Sequence, residues 1–443
     1  MSVETARRFN DLVRRDPAGA HAQWRQLLKA FATRGITFGG TPMPTFLRPQ
    51  FVDRSTWDAM TRGAARLVRL SDRVAKSAFG GDLDLLLDFL GAPEEHRRLL
   101  RLNPPGPEVA LSRVDGFIDG GDIRFIEINS DAPAGFGYAD RMTEVFAELP
   151  LVRELAAGTR VTSVGSIDAL VGELRRQARV EAPRVAIVDL AAVRTRPDQE
   201  ILREEFERRG LDTLLADPRE MDMVNDRLLA RGHPVDVVYR RAVISEVLAI
   251  EKDAPAFFDA YARGLCVFVN SFRCYLSEDK AFFALLTDER FAPLLSPDER
   301  GFVDAHIPWT RKVEDRKTQR RGETMDLLPW LSKHREDLVL KPTHGYGGER
   351  VAIGSQFTPQ AWAQTIETAL REGRWIAQER VTIPEEEFPI FDAEGGLTFE
   401  RLKVNTNPFY VGGATAGAVT RVSRDSVINV SAGGGSVPTL VVG

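Results

Sequence analysis

Two neighbouring apolar segments, LSRVDGFI and IRFIEIN, carry polar side chains at alternate positions: Arg113 and Asp115 in the first, Glu127 and Asn129 in the second. A β-strand sends every second side chain to the same face, so R-x-D and E-x-N each set two polar groups side by side. Three of the four are oxygen donors. Carboxylates and an amide carbonyl suit a hard cation such as Mg²⁺, which completes its shell with water and substrate phosphates. Arg113 then holds an anion beside the metal.

The intervening FIDGGDI reads as the turn of a hairpin, and its length decides whether the four groups share a face. A two-residue Gly120-Gly121 loop pairs Asp119 with Asp122, and counting outward puts Arg113 and Asp115 on the face opposite Glu127 and Asn129. A three-residue loop, Gly120 to Asp122, pairs Asp119 with Ile123, Asp115 with Glu127 and Arg113 with Asn129. We therefore expect a three-residue loop or a bulge, with glycine supplying the positive φ.

A chain of 443 residues exceeds one ordinary core, so two or three substructures are expected. With 64 acids against 59 bases the net charge is -5, which argues against bulk nucleic-acid affinity. The N-terminus lacks an apolar stretch of signal-peptide length, and no run of about 18 apolar residues could span a membrane. A cytoplasmic protein with no membrane partner is expected. Cys266 and Cys274 lack C-x-x-C spacing and read as buried free thiols rather than a zinc site or disulfide.

Residues 1 to about 100 read as amphipathic helices around a turn-rich FGGTPMPTFLRP. From about 183 the pattern alternates strand and helix: RVAIVDL, Asp198 to Arg209, LDTLLADP, VDVVYRRA, LCVFVN. Short apolar runs between charged helices suggest a small parallel sheet of Rossmann-like type. No G-x-G-x-x-G follows its first strand, so a dinucleotide role is unsupported and the unit reads as one wall of a substrate cleft. A third region starts near 271 with SEDKAFFALL, then EDRKTQRRGET, which reads as a mobile loop. DLVLKPTHGYGGERVAIG follows as strand, lysine, glycine turn and strand. An amphipathic helix from Pro359 to Glu372 and the strand RWIAQERV come next.

Several of these residues suit a polyphosphate. Gly345, Gly347 and Gly348 would let backbone N–H groups approach phosphate oxygens, although such glycines also mark ordinary tight turns. Lys341 ends a strand where an ammonium could reach a phosphate, and Lys280 opens a helix after two acids; each could equally be a solvated lysine. Gln378 and Glu379 could meet an adenine amino group and a ribose hydroxyl, or simply form the polar end of a buried strand.

Taken in order along the chain, these segments resemble the circularly permuted ATP-grasp enzymes, the group containing the synthetase part of glutathionylspermidine synthetase. Ordinary ATP-grasp ligases carry the lysines and glycine loop first and R-x-D with E-x-N last; here VNSFRCYLSEDKAFFALL, LVLKPTHGYGGERV and IAQERV all follow FIEINSDAP. The resemblance implies an α/β (α+β) permuted ATP-grasp fold with a Rossmann-like pre-ATP-grasp subdomain. On that reading, 1–105 is a mainly helical N-terminal region, 106–180 begins the catalytic core with its metal-binding strands, and 181–270 is the Rossmann-like subdomain. Residues 271–381 form the nucleotide-binding lid, and 382–443 return to the core.

The same resemblance implies Asp115, Glu127 and Asn129 as Mg²⁺ ligands and Arg113 as the group that stabilises an acyl phosphate and the tetrahedral species. It assigns Lys280, Lys341, Gly345, Gly347, Gly348, Gln378, Glu379, Val381 and Arg421 to ATP, and matches Asn429 and Gly433 to Gly435 to a terminal N-x-S-x-G-G-G-like segment. The implied activity is ATP-dependent, ADP-forming carboxylate–amine ligation, a glutathionylspermidine synthetase-like C–N ligase using ATP and Mg²⁺. Its partners would be a small carboxylate and an amine, such as an amino acid, a peptide or a polyamine. A synthetase alone, without the extra amidase domain of the bifunctional enzymes, is expected. A small-molecule kinase and a non-catalytic nucleotide-binding scaffold are the alternatives. For the amine, Asp131, Asp140 and Glu385 to Glu387 are candidates; for a second carboxylate, Arg141, Arg273 and Arg401.

Overall fold

The computed structural model describes residues 2–345, 348–430 and 433–443. The polar-alternating segments are strands Leu111–Asp119 and Asp122–Asn129, paired antiparallel. Gly120 and Gly121 form a two-residue turn with φ of 55° and 97°, two positive values that a tight hairpin turn favours. The three-residue loop is therefore not used, and a bulge corrects the register instead. Asp119 pairs with Asp122 and Gly116 with Phe125, yet Asp115 pairs with Glu127 and Arg113 with Asn129, so Ile126 is the extra residue. Gly116 admits the bulge because a Cβ there would lie 2.7 Å from the Arg124 carbonyl oxygen. One added residue shifts the alternation by one, and the four polar side chains return to a common face.

Along its other edge, Leu111–Asp119 pairs with the long strand Leu397–Val411, which continues through Ala414–Ser423 to Gly435–Val437; Glu385–Phe391 joins the far half of the long strand. The C-terminal segment thus completes the sheet begun at residue 111. Thr439–Val442 then pairs with Gln50–Asp53 and with Val161–Ser163, joining the two ends of the chain. Helices Ser2–Arg15, Pro17–Thr33 and Arg54–Ser77 account for much of the N-terminal region. The last buries Trp57, Met60, Ala64, Leu67 and Val68 at helical spacing and packs on the sheet.

A second, four-stranded sheet is wholly parallel, in the order Val267–Val269, Val237–Arg240, Val185–Val188, Thr213–Ala216. Its central strands are continuous apolar runs because both faces are covered. Its strand order reverses between Val185–Val188 and Val237–Arg240, which opens a crevice at their carboxyl ends. A third sheet, antiparallel, runs Thr310–Lys312, Trp375–Glu379, Leu338–Pro342, Ala352–Ile353, with helix Pro359–Glu372 burying Trp362, Ile366 and Ala369.

The segment EDRKTQRRGET, expected as a mobile loop, is instead a hairpin of Lys317–Arg320 and Glu323–Asp326 turning at Arg321 and Gly322. It is held by the Trp309 indole, which donates to the Gln319 carbonyl at 3.0 Å, and by Arg311, which donates to Thr318 Oγ1 at 2.6 Å. Both cysteines are buried and free. Among the described residues no helix is long and apolar enough to cross a membrane.

Candidate active site

The bulged hairpin, the third sheet and the C-terminal strands surround one cavity of about 1310 Å³. Its wall includes Arg113, Asp115, Glu127 and Asn129 together with Lys280, Lys341 and Arg421. The quartet's first half is a fork: Arg113 donates from Nε to Asp115 Oδ1 at 2.7 Å and from Nη2 to Oδ2 at 3.1 Å. Arg421, brought by the strand Ala414–Ser423, adds a bond to the same Oδ2 at 3.3 Å. Burial pushes the Asp115 carboxyl up, but the two guanidiniums outweigh it and hold the group below the ordinary carboxylate value.

On the second strand, Glu127 meets Lys280, whose Nζ lies 3.4 Å from Oε1. Lys280 also donates to the Gly345 carbonyl at 3.0 Å, while its backbone N–H donates to the Thr343 carbonyl at 2.8 Å, so this lysine fastens the start of the glycine turn. Lys341 is buried, and its Nζ is 3.5 Å from the carbonyl oxygen of Ile126. Burial, assisted by the charge of Lys280, lowers Lys341 to about 8; burial and the neighbouring Arg113 likewise lower Arg421 to about 10. Arg113, Arg421, Lys280 and Lys341 therefore gather around Asp115 and Glu127 in one partly desolvated cleft, with Glu278 and Asp279 behind Lys280.

Gly345 and Gly348 line the cavity, and Gly348 approaches the C-terminal segment so closely that a Cβ would lie 2.5 Å from Val427 Cγ1. Gly347 lies outside the described residues. Gln378, Glu379 and Val381 line the same cavity. Gln378 donates to Thr310 Oγ1 at 3.0 Å, and Glu379 pairs with Arg320 of the hairpin. Asn429 also reaches the cavity wall. Gly434 and Gly435 serve close packing instead, since a Cβ would lie 2.9 Å from the carbonyl oxygens of Asn429 and Pro44 respectively.

Of the residues suggested for amine or second-carboxylate binding, Asp131 alone lines the cavity, and it is paired with Arg240 and accepts the Ile244 N–H at 2.8 Å. Asp140 accepts the Ser166 and Ile167 backbone N–H groups, Glu386 pairs with Arg48, and Glu387 with Arg14. Arg141 pairs with Glu204 and Glu205, Arg273 with Glu108, and Arg401 with Glu385. These charges hold the fold together. Their partners lie far away in the chain, so local sequence could not reveal them.

The sequence reading missed Glu278, Arg240 and Arg241. The Glu278 carboxyl accepts the Ser130 N–H at 2.7 Å and the Asp131 N–H, gripping the chain just after Asn129. Arg240 pairs with Asp131, and Arg241 donates to the Ala132 and Pro133 carbonyls. The signal was present: Glu278 stands two residues before Lys280, and an Arg-Arg pair ends an otherwise apolar strand. Among the described residues no three His, Cys, Asp or Glu side chains gather into a metal cluster. The oxygen donors that line the cavity here are Asp115, Glu127 and the Asn129 amide, whose buried Nδ2 has no hydrogen-bond partner.

No family model matches the chain. An uncharacterized protein of Mycobacterium leprae is 24% identical, over 98% of this chain and 79% of that protein. A putative glutamate–cysteine ligase of Frankia casuarinae is 24% identical over 79% of this chain; the chain spans 42% of that ligase's length. A glutathione synthetase-like effector from Globodera pallida superposes with a TM-score of 0.61 at 11% identity, covering 96% of this chain and 97% of the effector. The two share a fold.

Proposed function

We propose that the protein is an ATP-dependent carboxylate–amine ligase of permuted ATP-grasp type. The observation that carries this reading is the convergence of Arg113, Arg421, Lys280 and Lys341 on one cavity wall beside Asp115 and Glu127, four cations that a polyphosphate would engage together. The similarity to a putative glutamate–cysteine ligase and to a glutathione synthetase-like effector points the same way. Residues 106–180 and 382–443 would form the catalytic core, 181–270 the wall opposite, and 271–381 the lid.

Asp115, Glu127 and Asn129 would hold Mg²⁺, a fit of hard oxygen donors to a hard cation that neutralises phosphate charge. Lys280 and Lys341 would orient the triphosphate, with Gln378, Glu379 and Val381 at the base and ribose. A substrate carboxylate oxygen then attacks the γ-phosphorus, the bond to the β-bridging oxygen breaks, and ADP leaves. The amine nitrogen attacks the resulting acyl phosphate, inorganic phosphate departs, and the amine's proton passes to solvent. Arg113, fixed by its two bonds to Asp115, would stabilise the oxyanion that develops on the carbonyl.

Incubating the protein with ATP, Mg²⁺ and a panel of acids, with and without amines, tests this. Amide plus ADP is expected. A phosphorylated acid as final product supports a kinase, and binding without turnover supports a scaffold. Full ligase turnover by Asp115→Ala or Lys341→Ala would overturn the residue assignments.

A further inference from the structure

The cavity holds more than its polar half. At about 1310 Å³ it exceeds the roughly 300–1,000 Å³ of a site for one small molecule. Its wall also includes the apolar side chains of Phe38, Met43, Pro133, Tyr138, Val243 and Val419. Tyr138 spends its hydroxyl on the Thr37 carbonyl at 2.6 Å, beside Phe38, and a Cβ on Gly135 would lie 3.9 Å from Val419 Cγ2. Arg194 caps the Phe38 ring, 4.6 Å from its centroid, and the adjoining Thr195 lines the cavity.

We propose that this wall is the acid subsite, and that the acid is a monocarboxylate with an uncharged, apolar or aromatic body. The inference rests on the ligase reading above. The carboxylate would face Arg113 at the boundary with the polar half, leaving the body of the acid against the apolar wall. An ammonium group on that body would need a carboxylate partner in a partly desolvated pocket. Asp131 in the lining is committed to Arg240 and to the Ile244 N–H, and Asp198 behind it accepts the Gly135 and Tyr138 N–H groups. An amino-acid or γ-glutamyl substrate would therefore bring a charge that this wall leaves unanswered, whereas burying the methylenes of an apolar acid there favours its binding.

The test uses the full chain with ATP, Mg²⁺ and hydroxylamine, which captures acyl phosphates as hydroxamates, alongside nucleotide binding measured separately. Hexanoate, phenylacetate and benzoate are compared with L-glutamate, L-alanine and succinate. At least tenfold higher kcat/KM for the apolar set is expected. A Phe38→Asp variant, at a half-buried position and with its folding established by circular dichroism, should raise the KM for the best apolar acid at least tenfold and leave the KM for ATP within twofold. Higher kcat/KM for glutamate, alanine or succinate would overturn the subsite while leaving the ligase reading intact. Nucleotide binding with no acid-stimulated ADP release would overturn the ligase reading, and the subsite with it.

Discussion

Lys341 directs its ammonium to the carbonyl oxygen of Ile126, 3.5 Å away, and Ile126 is the residue that the bulge adds to its strand. The same insertion thus turns Glu127 and Asn129 into the cavity and supplies a carbonyl for the lysine beside them. Gly116→Val sets a Cβ 2.7 Å from the Arg124 carbonyl oxygen and should disfavour the bulge; in a regular hairpin Asp115 would oppose Ile126, and Glu127 and Asn129 would turn to the opposite face. ATP turnover is expected to fall by at least about 100-fold, the scale associated with misplacing a reacting group by an ångström. Steady-state kinetics on the Gly116→Val variant, with circular dichroism to establish folding, checks this.

Lys341 lies well below the usual lysine range, at about 8 against 10.5, mainly through burial. Between those values the unfolded chain holds a proton that the folded state has released, so stability rises with pH across that window and carries its full penalty below about 8. At about 1.4 kcal/mol per unit, the penalty is on the order of 3 kcal/mol. Lys341→Met should therefore raise the melting temperature near neutral pH while abolishing ATP use. In the wild type, ATP affinity should weaken as pH climbs through about 8.

Burial, followed by the charge of Asp131, raises Glu278 to about 8. The folded state keeps a proton that an unfolded glutamate has lost, so this group's contribution to stability is complete below about 4.5 and disappears as pH rises towards 8. Glu278→Gln preserves an acceptor for the Ser130 and Asp131 N–H groups without the charge. Urea midpoints from pH 5 to about 9 should decline for the wild type and decline less for the variant. Equal slopes would show that Glu278 does not titrate there.

What could be read from sequence depended on how far apart the interacting residues lie. The R-x-D and E-x-N alternation is a local property, and the common face of the quartet followed from counting. The position of the bulge did not: a Gly-Gly turn is favourable by itself, and the correction fell at Ile126, where Gly116 permits close approach. The 317–326 hairpin was misread because its strands are charged; neither its pairing nor its anchoring by Trp309 and Arg311 has an apolar signature. Arg141, Arg273 and Asp140 looked available for substrate until the fold supplied Glu205, Glu108 and the Ser166 N–H.

Arg113 offers the sharpest separation of binding from chemistry. Asp115 fixes its guanidinium through two bonds, so the fork is preorganised without substrate. A lysine there keeps the charge but presents a single flexible ammonium, losing the planar pair of donors. If Arg113 acts on the oxyanion of the acyl transfer, Arg113→Lys should lower kcat for hydroxamate formation by about 10²–10³, the usual loss on removing one such donor. If Lys280 and Lys341 hold the triphosphate, ATP affinity should change only a few fold. Single-turnover assays with saturating ATP would distinguish this from a binding role, because a pure binding role would raise KM and leave kcat unchanged.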